Sequence, residues 1–310
     1  MNIVCVEPLG ISKESFEAIR ADFAGKGHQF NYFMDRDESE SSLIERMKEA
    51  DVAIISNIKL PASVLTACPS LKMLSVAFTG LDHIDLEYCS NHGINVKNAA
   101  GYSTTAVSEL AVGLMLDVLR HVTALDDTTR QGMGRGNFLG RELRGKTVGV
   151  VGTGAIGTAT IKLLLAFGCK VLAYNRSEHD DVKALGVEYH TLDELMQLSD
   201  IVTLHVPMTA ETKHLIDSRR LTMMKPTAIL INTARGNVVD IEALATALKE
   251  GRIAGAGIDV YEQEPPLPTT HPLLSVPNCV VVPHIGFATR EAFDIRAGIV
   301  IDNVKQFLGI

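Results

Sequence analysis

The stretch KTVGVVGTGAIGTATIKLLLAFG, Lys146 to Gly168, decides the fold. An apolar β-branched run ends at Gly152, Gly154 and Gly157 complete a GxGxxG turn, and a helix with an apolar face follows. Three glycines alone are weak evidence, and the strand–turn–helix setting is what makes them specific for a dinucleotide-binding turn. In such a turn Gly152 permits the tight bend, Gly154 lets the backbone approach a pyrophosphate, and Gly157 allows close helix–strand packing. The backbone N–H groups of Ala155 and Ile156 then face an anion at the positive end of the helix. A ligand-free glycine turn is the competing explanation. A second strand, CKVLAYN, at the expected distance argues against it.

That second strand runs into VLAYNRS, where a dinucleotide-binding protein usually carries an acid for the ribose 2′-OH. Asn175, Arg176 and Ser177 stand there instead. Asn175 hydrogen-bonds a hydroxyl without repelling a phosphate, and Arg176 with Ser177 offers a charged fork and a hydroxyl to a 2′-phosphate. The residues favour NADP over NAD. A solvated Arg176 in an NAD site is the alternative.

Outward from this turn, strand-like and helix-like segments alternate almost throughout. NIVCVE, DVAIIS, LKMLSVA and INVKN read as strands before it, and DIVTLHV, AILINTA, IAGAGIDV and CVVVPH after it. Amphipathic segments such as SKESFEAIRADFAG and SSLIERMKEA lie between. Such alternation implies parallel strands joined by right-handed crossovers, an α/β doubly wound fold. One long helix over Thr104–Arg130, followed by a glycine-rich arm, separates two sheets. The terminal helical stretch TREAFDIRAGIVIDNVKQFLGI is expected to pack back onto the first. The domains are therefore read as 1–100 with 288–310, and 101–287.

A chain of 310 residues, 46% hydrophobic and 21% charged, supports two ordinary globular domains. The net charge of −8 argues against a general nucleic-acid binder. Five scattered cysteines, never in a CxxC pair, suit a reducing compartment rather than a disulfide frame or zinc site. No HxxxH or Cys/His cluster supports a metal. The start MNIVCVEPLG has no basic n-region, and the longest apolar segment is too short to span a bilayer. A cytoplasmic protein with no membrane partner is expected.

Three motifs each end a predicted strand: ILINTARGNVVD with Arg235, GAGIDVYEQEPP with Asp259, Glu262 and Glu264, and CVVVPHIGFATR with His284. In a doubly wound sheet those ends gather at one crevice. Singly, each is most simply a solvated or structural residue. Together they suit a carbonyl that accepts hydride. Histidine is a suitable proton donor, a carboxylate on its other nitrogen fixes the tautomer, and a bidentate arginine holds a carboxylate beside the ketone.

With these motifs in order, the chain resembles the D-isomer-specific 2-hydroxyacid dehydrogenase family. The likeness runs through FTGLDHIDLEYCSNHGINVKNAAGYSTTAVSELAVGLML, ELRGKTVGVVGTGAIG, LHVPMTAETKHLI, INTARGNVVD, IDVYEQEPP and VVPHIGFAT. It implies a Rossmann cofactor domain beside a flavodoxin-like substrate domain, and reduction of a small 2-oxo acid to a D-2-hydroxy acid. Arg235 is then the substrate arginine, His284 the acid/base and Glu264 its partner. Thr79 and Gly80 bind the substrate carboxylate, and Tyr102 falls where some members contact substrate. Thr105 faces the nicotinamide by analogy. His205, Val206, Pro207 and Thr212 line the cofactor, and Thr233, Ala234 and Asp259 approach the nicotinamide. Gly286, Arg235 and His284 complete the cofactor set. Ile58, with Asn57, and Phe78 are assigned to the side-chain pocket with Tyr102, and its mixed character suits a small uncharged or hydroxylated side chain better than a phosphate. The likeness also implies a homodimer. Two rivals share the scaffold: a formate- or phosphite-type dehydrogenase, and an NAD(H)-sensing interaction protein.

Overall fold

Five short strands of the first third pair in parallel: β1 Asn2–Cys5, β2 Gln29–Tyr32, β3 Val52–Ile55, β4 Met73–Val76 and β5 Asn95–Asn98. Their order is β2-β1-β3-β4-β5. The central β3 and β4 are buried at every residue, as a parallel sheet covered by helices on both faces requires. The sequence does not announce β2 (QFNY), because two of its four residues are polar. Its place rests on Phe30, whose ring stacks 5.5 Å from that of Phe23, and on Tyr32, 4.5 Å from Phe16. Both phenylalanines belong to the helix Lys13–Gly25, started by the Ser12 side chain accepting from the Ser15 N–H.

The computed structural model describes all 310 residues and divides into two units, Met1–Ser103 with Ala288–Ile310, and Thr104–Phe287. The first boundary lies three residues beyond the expected one, because the long helix begins only at Thr104. The terminal helix Arg290–Leu308 belongs to the first unit. It lays Ala297, Val300, Ile301 and Val304 against the sheet. Long-range hydrogen bonds help fix it, among them Ser75 Oγ to the Val300 carbonyl at 3.0 Å and Asn303 to the Asn98 carbonyl at 3.0 Å.

The second unit contains seven parallel strands, β6 Thr147–Val151, β7 Lys170–Tyr174, β8 Glu188–Tyr189, β9 Ile201–Leu204, β10 Ile229–Asn232, β11 Gly255–Ile258 and β12 Cys279–Val281. Their order is β12-β11-β10-β9-β6-β7-β8. The chain winds outward from β6 to β8, then returns to β9 on the other side of β6. A crevice therefore opens beyond the carboxyl ends of β6 and β9. The two-residue β8 is too short to leave a sequence pattern.

The expected single helix Thr104–Arg130 is two helices, Thr104–Arg120 and Val122–Arg130, with His121 left-handed between them at φ 51°. The break has identifiable causes. The N–H of Arg141 in the glycine-rich arm takes the Leu119 carbonyl at 3.0 Å, and the His121 ring packs on Phe138. The Asp117 carboxylate accepts from the N–H and hydroxyl of Thr123, starting the second helix. The apolar face of Thr104–Arg120 lies on its own sheet. A Cβ at Gly255 would stand 2.7 Å from a Val118 methyl, and one at Gly257 3.0 Å from Leu114 Cβ.

Val300 is fully buried and Asp302 is exposed on the same helix. Val300→Asp should lower stability to chemical denaturant by at least about 3 kcal/mol through a buried charge. Asp302→Ala should stay within about 0.5 kcal/mol. Equal effects would mean the helix does not dock through this face.

Candidate active site

The glycine turn is built by close backbone approach. Gly152 takes φ +96° and donates its N–H to the Tyr174 carbonyl at 2.8 Å. A Cβ at Gly152 would meet the His205 carbonyl oxygen at 2.5 Å, and one at Gly157 the Gly152 carbonyl oxygen at 2.0 Å. At Gly154 a Cβ would meet nothing within 4 Å. The fold therefore demands the first and third glycines, while the middle one leaves open space. That space lies at the start of the helix Ala155–Ala166, which no side chain caps. A cavity of about 380 Å³ adjoins it, lined in part by Thr153, Ala155, Thr158, Lys162 and His179.

The turn after β7 is tied to the glycine turn. Asn175 Nδ2 donates to the Ser177 carbonyl at 3.0 Å and to His179 Nε2 at 3.1 Å. The His179 N–H donates to the Tyr189 hydroxyl, which pairs with Thr153 Oγ1 at 2.9 Å. Asn175 thus shapes its own turn with its amide N–H groups, which leaves its carbonyl oxygen as an available acceptor. Arg176 and Ser177 are exposed. Thr153, Lys162 and His179 were missed in the sequence. Thr153 sits inside the glycine motif, and Thr158 and Lys162 share a helix face at i, i+4 spacing, so a helical projection from Ala155 would have found that pair.

After β9, His205 presses its carbonyl on Gly152, and its Nε2 pairs with Thr203 Oγ1 at 3.0 Å. Burial pushes the imidazole down to about 4, so it is neutral at pH 7. Its Nδ1 and the Thr233 hydroxyl are both buried without a hydrogen-bond partner. Orphaned polar atoms of this kind fit a site that a polar ligand completes. A Val206 methyl packs beside the glycine turn. Thr212 closes its own loop, accepting from the Thr209 N–H and donating to the Pro207 carbonyl, both at 2.7 Å.

Beyond β10, β11 and β12 the three catalytic candidates stand on loops braced against one another. Gly236, after Arg235, abuts the backbone of Tyr261 so closely that any Cβ there would lie 1.9 Å from its carbonyl carbon. The Tyr261 hydroxyl donates to the Val282 carbonyl at 2.9 Å, two residues before His284. The buried Asp259 accepts from the N–H groups of Ile285 at 2.6 Å and Gly286 at 2.9 Å. Burial raises its carboxyl pKa, and those two N–H bonds oppose the rise. They hold the loop in which His284 adopts a left-handed φ of 54°. His284 Nδ1 meets Glu264 at 2.8 and 3.0 Å, whereas Glu262 turns to His271 at 3.3 Å. The two acids the sequence left side by side therefore have different partners. Arg235 donates to the Ala234 carbonyl at 2.8 Å, and Asn232 secures its backbone by donating to the Arg235 carbonyl.

In the first unit, Ile58, Phe78 and Tyr102 are buried, and the Phe78 and Tyr102 rings lie 6.4 Å apart. The Thr79 carbonyl accepts from Asn98 at 2.8 Å, anchoring the turn that continues to Gly80. Thr105 opens the long helix of the second unit. No helix is long and apolar enough to cross a membrane.

Residues 112–286, more than half of the chain, match the family model described as D-isomer specific 2-hydroxyacid dehydrogenase, NAD binding domain. A glyoxylate reductase of Thermofilum pendens is 45% identical over 278 residues, 87% of this chain and 82% of that protein. The crystal structure of D-lactate dehydrogenase from Aquifex aeolicus, complexed with NAD and lactic acid, is 31% identical. It superposes with a TM-score of 0.85, covering 100% of this chain and 96% of that one. An NADPH-dependent glyoxylate/hydroxypyruvate reductase from Sinorhizobium meliloti, in complex with NADP and malonate, is also 31% identical. Its TM-score is 0.84, with 99% and 93% covered.

The two glycine substitutions should separate folding from binding. Gly154→Ala should leave the melting temperature within about 2 °C, yet weaken dinucleotide binding, read by fluorescence of the reduced nicotinamide, at least about tenfold. Gly157→Ala should destabilise the unit itself. Wild-type affinity in Gly154→Ala would show that no pyrophosphate lies there.

Proposed function

Because the chain belongs to the D-isomer specific 2-hydroxyacid dehydrogenase family, whose NAD(P)-dependent enzymes reduce 2-oxo acids, we propose a substrate of the glyoxylate or hydroxypyruvate kind and a preference for NADPH. The observation that carries the chemistry is the Glu264–His284 pair, with Arg235 on the neighbouring loop, at the ends of three adjacent strands. The orphaned Thr233 hydroxyl and His205 Nδ1, with the open space at Gly154, fit a bound dinucleotide.

The glycine turn, with the N–H groups of Ala155 and Ile156, would hold the pyrophosphate, and Asn175, Arg176 and Ser177 the adenosine ribose. When bound, the reduced nicotinamide supplies the hydride. His284 supplies the proton. Glu264 on Nδ1 sets the ring so that Nε2 is the nitrogen that serves the carbonyl oxygen, and it stabilises the cationic ring. Arg235 grips the substrate carboxylate with its fork and draws electron density from the adjacent ketone. On the first unit, the Thr79 and Gly80 N–H groups are assigned to a substrate carboxylate, and Ile58, Phe78 and Tyr102 to the substrate side chain. The NADPH preference is supported by the absence of an acid at Asn175 and by the exposed guanidinium of Arg176. A homodimer is our reading of the exposed apolar side chains Val122, Met133 and Leu139, and a cytoplasmic location that of five free cysteines.

His284→Ala should reduce kcat at least about 100-fold with glyoxylate or hydroxypyruvate while dinucleotide affinity changes little. A kcat within a few-fold of wild type would remove His284 as the proton donor. A wild type inactive on the 2-oxo acid panel with either cofactor would favour a nucleotide-sensing role. Asn175→Asp combined with Arg176→Ala should shift kcat/KM from NADPH towards NADH. An unchanged ratio would mean that this turn does not read the 2′ position.

A further inference from the structure

Three charged residues of the first unit play no part in the chemistry above, yet two of them are among its most buried side chains. Glu7 is 1% exposed and Arg296, on the terminal helix, 3%. Burying a carboxylate and a guanidinium is costly unless each is fully hydrogen-bonded, so their partners show what the arrangement does. One Glu7 oxygen accepts from the N–H groups of Ser56 at 2.6 Å and Ile58 at 3.3 Å. Arg36 donates to the other oxygen at 2.5 Å and to the Asn57 side-chain oxygen at 2.9 Å. Every residue of the Ser56–Ile58 turn is therefore held by Glu7 or Arg36. Arg296 donates to the Ser56 hydroxyl at 3.1 Å, the Ala77 carbonyl at 3.4 Å and the Leu9 carbonyl at 2.7 Å. Its guanidinium carbon lies 5.8 Å from the Tyr102 ring centroid and 4.3 Å from that of Phe293.

These contacts fall on the segments that leave β1, β3 and β4 and that carry Ile58, Phe78 and Thr79, with Tyr102 beside them. An apolar side chain at 296 would fill the same interior without the desolvation cost, so stability alone does not account for an arginine here. Resting on the keto-acid reductase reading, we propose that Arg296, Glu7 and Arg36 are positioning residues for the substrate. Arg296 sets the carboxylate turn and side-chain pocket together, while the Glu7–Arg36 pair sets the Ser56–Ile58 wall of the pocket alone. Arg36 bonds to Glu7, Asn57 and Glu38, whereas Arg296 bonds to Ser56, Ala77 and Leu9, so the two arms reach the pocket through different partners.

The test is steady-state kinetics of wild type, Arg36→Met and Arg296→Lys with glyoxylate, pyruvate, hydroxypyruvate and a branched 2-oxo acid, with melting temperature and KM for NADPH measured alongside. Arg36 is partly exposed, and the substitution leaves the strands intact. Arg36→Met should raise KM at least fivefold for substrates that carry a side chain, and less than twofold for glyoxylate, which has none. Arg296→Lys keeps the charge but loses the fork, and should raise KM about tenfold for all four. In both variants the KM for NADPH should remain within twofold. KM values like wild type across the panel would overturn the proposal. So would a loss of kcat that is equal for every substrate and tracks a lowered melting temperature, since that is the signature of a purely structural role. No turnover by wild type would overturn the reductase reading and the proposal together. Normal wild-type turnover with an Arg36→Met effect on KM that is the same for glyoxylate as for the substrates with side chains would sink the proposal alone.

Discussion

The carbonyl oxygen of Gly152 occupies the place where a side chain on residue 157 would begin, and the second unit is arranged around that contact. With 2.0 Å between the oxygen and any Cβ, the helix starts directly against the turn that feeds it. Its first N–H groups therefore point out of the sheet edge instead of into a cap. The His205 carbonyl seals the other side of Gly152, fixing the spacing of β6 and β9, the two strands between which the chain reverses direction. Two backbone contacts on Gly152 thus set both the uncapped end of the helix and the width of the crevice.

The catalytic loops follow a different logic. They leave three neighbouring strands and have little regular structure, so their precision comes from cross-braces: Gly236 on Tyr261, Tyr261 on Val282, Asp259 on Ile285 and Gly286. Asp259 is the costliest of these, a carboxylate desolvated to hold two backbone N–H groups. Each of its oxygens accepts one N–H of the histidine loop.

The legible features were those whose signal is local. Buried parallel strands are continuous apolar runs, so β3, β4, β6, β9 and β10 stand out. The edge strand β2 is half polar and the edge strand β8 has only two residues, and these do not. The break at His121 depends on a contact with Phe138 and a hydrogen bond from Arg141, neither of which has a periodicity. The pairing of Glu264 rather than Glu262 with His284 depends equally on tertiary structure, because the two acids are interchangeable by spacing until His271 is seen beside Glu262. The Glu7–Arg36–Arg296 arrangement is the extreme case. Its members lie up to 289 residues apart, and each alone reads as an ordinary charged residue.

The terminal helix has a consequence for how the molecule comes into being. The first hundred residues contain five strands but not the helix that covers β4 and β5, which is supplied by residues 290–308. During synthesis the second unit, contiguous in sequence, emerges with its core complete. The first unit keeps that face of β4 and β5 uncovered until residues 290–308 have been made. The face of the N-terminal sheet that this helix covers is therefore closed by a segment made after the whole of the second unit.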